Sequence, residues 1–122
     1  ALADGIQAMR TRQYRNAYQH FSEVIRQAPA FAEGWNARAT VLYLMGAYRE
    51  SIDDIRETLQ REPRHFGALS GLGLIFLHQK QLGPAATAFR DALSINPHLP
   101  RIRATIEQLE SRQKSIDEQN AI

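Results

Sequence analysis

The chain has 122 residues, 15 basic and 13 acidic side chains, a net charge of +2 and no cysteine. That length supports one domain with its own core, and the missing cysteines remove disulfide scaffolds, thiol catalysis, Cys-based zinc sites and iron–sulfur ligation together. A composition of 43% hydrophobic and 23% charged residues is that of an ordinary globular chain rather than a disordered one.

The predicted helices are 1–10, 14–27, 31–45, 48–61, 66–80, 82–95 and 100–118, and a 34-residue period organises them. Pro29, Pro63 and Pro97 are 34 residues apart. At the same shift small residues recur as Gly5, Ala39 and Gly73, and again as Ala17, Ser51 and Ala85. Large apolar residues recur as Phe21, Ile55 and Phe89, and as Ile25, Leu59 and Leu93. In the clearest unit, Trp35, Ala39 and Leu42 fall at helical spacing, and Gly46 suits a left-handed helix terminus. A second helical pattern runs through Ser51, Ile55 and Thr58, and Pro63 closes it, lacking a backbone donor. Small residues on both helices permit close approach, so each unit reads as an antiparallel hairpin in a right-handed solenoid. The last helix carries Ile102, Ile106, Leu109 and Ile116 on one stripe and polar groups elsewhere, the pattern of a cap. Its end, SRQKSIDEQNAI, is polar enough to fray or to project.

Catalytic motifs are missing from this sequence. His20, His65, His78 and His98 form no HExxH and no tight pair with an acidic residue at metal-ligand spacing, and they read as surface or turn histidines. Ser70 to Phe76, SGLGLIF, lacks the third glycine of a dinucleotide fingerprint and lies inside a helix. Neither a GxSxG elbow nor a P-loop occurs. The chain reads as a non-enzyme with no cofactor and no metal. Arg10, Arg12, Arg15 and Arg26 give the first quarter a mild positive bias, too sparse for a nucleic-acid footprint. Arg38 shares a column with Leu72, and Asp54 one with Ala88, so two charges replace apolar residues on facing helices. An internal Arg38–Asp54 ion pair explains both departures; a ligand-contacting Arg38 is the alternative.

The stretch Trp35 to Pro63, WNARATVLYLMGAYRESIDDIRETLQREP, resembles the tetratricopeptide repeat (TPR) family in its tryptophan, small residue, glycine–x–tyrosine, small residue and terminal proline. Leu69 to Pro97 is similar, with Lys80 where the turn glycine usually stands. The resemblance covers 1–99 and implies a single all-α domain, 1–122: a right-handed α-α superhelix of three hairpins (1–31, truncated at its start, then 32–65 and 66–99) plus a capping helix at 100–119. The segments EGWNARATVLYLMG and PRHFGALSGLG are similar to alphaproteobacterial TPR proteins whose partners are unassigned, so a bacterial protein is expected.

What the family implies is noncatalytic protein–protein interaction, with the first helix of each unit lining a concave groove for a peptide or helix. On this sequence the groove positions are Leu2, Ile6, Met9 and Arg10, then Glu33, Asn36, Thr40, Tyr43 and Leu44, then Gly67, Ser70, Leu74, Leu77 and His78. Contact is expected to centre on Asn36, Thr40 and Tyr43, which share one helix stripe, flanked by Leu74 and Leu77. Family members that clamp the carboxylate of chaperone tails use lysine, asparagine and arginine at positions held here by Leu2, Ile6, Ala37, Gly67 and Gly71, so that partner is not expected. The alternative to the groove is covered surface, and the alternative function is self-association through the stack or the C-terminal helix, giving a homo-oligomer. No apolar run is long enough to span a membrane. The N-terminus shows no basic-then-apolar leader, and its Ala in place of Met fits a trimmed piece of something longer. Localisation reads as soluble, cytoplasmic or exported to a bacterial periplasm.

Overall fold

A computed structural model describes residues 1–121, and all regular structure among them is helical: α1 Leu2–Arg10, α2 Tyr14–Gln27, α3 Ala32–Leu44, α4 Tyr48–Arg61, α5 Phe66–His78, α6 Leu82–Ile95 and α7 Pro100–Asn120. They fall into two compact units, Ala1–Ala68 and the segment from Leu69 onward. The first takes in the expected repeats 1–31 and 32–65 and the opening of 66–99; the second holds most of α5 with α6 and α7.

Three turns stop the first helix of each hairpin, and they share one geometry. Arg12, Gly46 and Lys80, 34 residues apart, have φ of 62°, 78° and 59°. Their amides reach back to the carbonyls of Met9, Tyr43 and Leu77, and the next amides reach Ala8, Leu42 and Phe76. This is the double hydrogen bond that closes a helix through a left-handed residue. It ends α3 at Leu44 and α5 at His78, one or two residues short of the predicted ends. Glycine adopts that φ without cost, whereas a side chain there is strained by about 1–2 kcal/mol. Lys80→Gly should therefore raise stability by about 1 kcal/mol, read as a higher thermal midpoint. An unchanged or lower midpoint would show that the lysine side chain compensates.

In the first unit, α1 packs on α2 and α2 on α3, and α3 packs on α4. Ala8, Ala17, Phe21, Ala37 and Val41 form one buried cluster, with Leu2, Ile6, Met9 and Tyr14 half-buried against it. The small residues are required where rings arrive. A Cβ on Gly5 would lie 2.4 Å from a Phe21 ring carbon. Buried Ser51 donates its hydroxyl to the Ala39 carbonyl at 2.7 Å, tying α4 to α3.

The second unit repeats the device. A Cβ on Gly73 would lie 2.5 Å from the ring of Phe89, which is 2% exposed. Leu82, Ala85, Ala86, Phe89, Ile106 and Leu109 form the core between α6 and α7, with Phe76, Leu77, Leu93 and Ile102 half-buried on it. Ile106 and Leu109, on the apolar stripe of α7, are buried. Ile116, on the same predicted stripe, is instead exposed. The polar C-terminal stretch continues α7 to Asn120; Ile122, the last residue of that stretch, lies outside the described residues.

Candidate functional site

In α3, Arg38 points at α4, and each of its three nitrogens has a partner. Its Nε and Nη2 donate to the two Asp54 carboxylate oxygens at 2.7 and 3.0 Å, and its Nη1 donates to Ser22 Oγ at 3.3 Å. The guanidinium also lies between two rings, 5.6 Å from the Tyr18 centroid and 5.3 Å from that of Trp35. Asp54 is 4% exposed, so the carboxylate is removed from water and depends on this partner. The Asp54 hydrogen bond raises the arginine above its already high ordinary pKa, against the opposing effect of burial. With every nitrogen engaged, Arg38 serves the hairpin.

Sequence reasoning found Arg38 and Asp54 because both break their columns, but it missed the surroundings. Ser22 and Tyr18 sit one helical turn apart on α2, spacing that says only that they share a face. Trp35 donates its indole N–H to the Pro29 carbonyl at 2.9 Å, which also accepts from Arg61 Nε at 2.6 Å. The Arg61 guanidinium also lies over the Trp35 ring, 4.7 Å from its centroid. The tryptophan of the repeat motif therefore anchors the loop that holds Pro29.

His65 precedes α5. Its Nδ1 accepts the Ala68 N–H at 3.0 Å, so its Nε2 carries the proton that Glu33 Oε2 accepts, also at 3.0 Å. It is a capping histidine, with a structural task that its isolated place in the sequence did not show.

The α3 face holds the predicted contact residues of the first unit. Thr40 is exposed and Leu44 is 44% exposed, while Asn36 and Tyr43 are half-buried. Thr40 donates its hydroxyl back to the Asn36 carbonyl at 3.0 Å. The Asn36 side-chain amide donates to Glu33 at 3.3 Å. The Tyr43 ring stands 5.7 Å from that of Tyr48, and burial, then Tyr48, pushes its phenol pKa up. Leu2, Ile6 and Met9 on α1 are half-buried against the core, and Arg10 and Glu33 are exposed. In α5, Ser70 is half-buried and Leu74 and His78 are exposed. Leu77 lies against the α6–α7 core, so Leu74 is the leucine of that pair that faces solvent. Among the described residues no group of His, Cys, Asp or Glu is arranged to hold a metal, and no helix is long and apolar enough to cross a membrane.

The helix pairs, their glycine-ring contacts and their 34-residue turns agree with a sequence profile described as "Tetratricopeptide repeat", which matches residues 37–100. The chain belongs to the tetratricopeptide repeat family. A TPR repeat-containing protein of Rhizobium etli is 51% identical over 59 residues, 48% of this chain and 29% of the relative. The Hsp70-Hsp90 organizing protein 1 of Glycine max is 24% identical over 113 residues, 89% of this chain and 20% of the relative. The TPR chain thus spans less than a third of the length of either of these relatives. Among solved structures, the first TPR of Spaghetti (RPAP3) bound to the HSP90 peptide SRMEEVD superposes with a TM-score of 0.87 at 12% identity, covering 93% of this chain and 90% of that one. At that identity the likeness shows the helix-hairpin fold of a TPR domain.

Proposed function

We propose that this TPR chain is a noncatalytic protein-interaction module that holds an apolar-rich peptide or helix of a partner on the exposed face of α3. The observation that carries the reading is the row Asn36, Thr40, Tyr43 and Leu44. These residues share one side of α3, and Leu44 leaves nearly half its surface in water. Asn36 and Thr40 offer hydrogen-bonding atoms for a peptide backbone, and Leu44 and the Tyr43 ring offer area to desolvate. In the second unit, Ser70, Leu74 and His78 on α5 form a separate candidate surface of the same character, with Leu77 closer to the core. A structural neighbour with this fold is bound to a peptide, which favours peptide capture as the mode. A chaperone-tail clamp is not the mechanism: Leu2, Ile6, Ala37, Gly67 and Gly71 offer no side-chain donor at the clamp positions.

The test is selection of a random-peptide display library on the immobilised chain, followed by binding of a recovered peptide to variants. Micromolar affinity, about −8 kcal/mol, is enough for a transient partner. Thr40→Glu with Leu44→Glu should weaken that peptide about tenfold or more and leave the melt nearly unchanged, since both side chains are exposed. Binding that survives both changes would remove the α3 face as the site. Light scattering showing a stable dimer of the 13.8 kDa chain, broken by changes in α7, would favour self-association instead.

A further inference from the structure

We propose that the turn edge of the first unit carries a second docking surface, for an acidic segment of a partner protein. Arg12, Gln13, Tyr14, Arg15, Asn16 and Met45 line a groove of about 660 Å³ between the α1–α2 turn and the end of α3. Two observations bear on this groove. One is conformational: Arg12, like Lys80 at 59°, holds a left-handed φ, here 62°, in the position where the middle hairpin uses Gly46 at 78°. The hydrogen bonds of the two turns are the same, so glycine would close this helix with less strain. The strain belongs to the repeat turn and is shared with Lys80; at Arg12 it places a cationic side chain on the lining of the groove.

The other observation is electrostatic. In this unit Arg26, Arg38 and Arg61 each have a carboxylate partner, whereas Arg12 and Arg15, like Arg49, Arg56 and Arg64, form no ion pair among the described residues; Arg12 and Arg15 are the two that line one groove. No carboxylate lines the groove, and Arg10, exposed at the end of α1, adds a third unpaired cation nearby in the chain. Uncompensated like charges attract a ligand that neutralises them, and guanidinium groups match carboxylates in paired hydrogen bonds. Met45, 47% exposed, and the half-buried Tyr14 ring give the same groove an adaptable apolar wall. Two cations beside a thioether and a ring fit a short acidic peptide with one apolar side chain. A nucleic acid calls for a longer run of cations, against a net charge here of only +2.

Fluorescence anisotropy with a labelled, carboxy-amidated peptide of glutamates interrupted by leucine tests the proposal. Saturable binding is expected, and it should weaken about tenfold or more with Arg15→Glu and several-fold with Met45→Asp. Arg12→Gly carries the sharpest signature: the thermal midpoint should rise while peptide affinity falls. Arg56→Glu, the same charge reversal at an exposed arginine outside the groove, should leave affinity unchanged. The proposal is overturned if the peptide does not bind, or if Arg12→Gly and Arg15→Glu leave its affinity intact. It is equally overturned if Arg56→Glu weakens it as much as Arg15→Glu, or if a random-sequence single-stranded RNA or phosphatidylserine vesicles bind the groove more tightly.

Discussion

Gly73→Leu should cause the largest loss of stability of any single substitution in the second unit. Even a Cβ at Gly73 would sit 2.5, 2.7 and 2.8 Å from three ring carbons of Phe89, a side chain 2% exposed with little room to move. Overpacking of this kind costs roughly 1–3 kcal/mol, and a leucine belongs at the upper end or beyond. Each kcal/mol lowers the melting midpoint by about 4 °C. The middle hairpin shows how the clash can be relieved, for the same two columns hold Ala39 and Ile55. Gly73→Ala and Phe89→Ile should each destabilise alone, while together they should recover about 1 kcal/mol or more relative to the sum. Unchanged melting of Gly73→Leu would place that face away from α6.

The second large effect is expected at Arg38 and Asp54. Removing one partner strands a charge in a site where Asp54 is 4% exposed, which costs about 3 kcal/mol. Arg38→Ala and Asp54→Ala should each show this loss, and the double variant should lose much less than the sum. Arg38→Lys should not restore stability, because an ammonium cannot make the paired bonds at 2.7 and 3.0 Å or stack between Tyr18 and Trp35. The third repeat supplies an apolar substitute, Leu72 and Ala88, at the same columns. Arg38→Leu with Asp54→Ala should therefore be close to neutral or stabilising, since a well-packed apolar pair avoids desolvating two charges. Additive losses in the double-variant cycle would contradict the pairing.

These two cases show why the hairpins were legible from sequence. Close packing of two helices imposes a size constraint on each column, and the constraint recurs every 34 residues, so Gly73 with Phe89 could be read against Ala39 with Ile55. Arg38 and Asp54 were legible for the converse reason, being charges where the period demands apolar groups. The shared turn geometry was only partly legible: Gly46 announces a left-handed residue, whereas Arg12 and Lys80 adopt the same φ with side chains that hide it. Periodicity also places a residue on a stripe without saying which neighbour covers it. Leu74 and Leu77 share a stripe, yet Leu77 packs on the α6–α7 core and Leu74 is exposed. Ile116 continues the α7 stripe but stands outside the core that buries Ile106 and Leu109. The Ser22, Tyr18 and Trp35 contacts around Arg38, and the Pro29 carbonyl shared by Trp35 and Arg61, arise from the packing of three helices. A pattern along one chain does not encode such a meeting.

Backbone hydrogen exchange of the chain, free and saturated with a library-selected peptide, tests the interaction module most directly. The account predicts slowed exchange in α3 across Asn36–Leu44, with little change in α4, and loss of that protection in the Thr40→Glu, Leu44→Glu variant. Protection confined to α7, or none anywhere in α3, would contradict it.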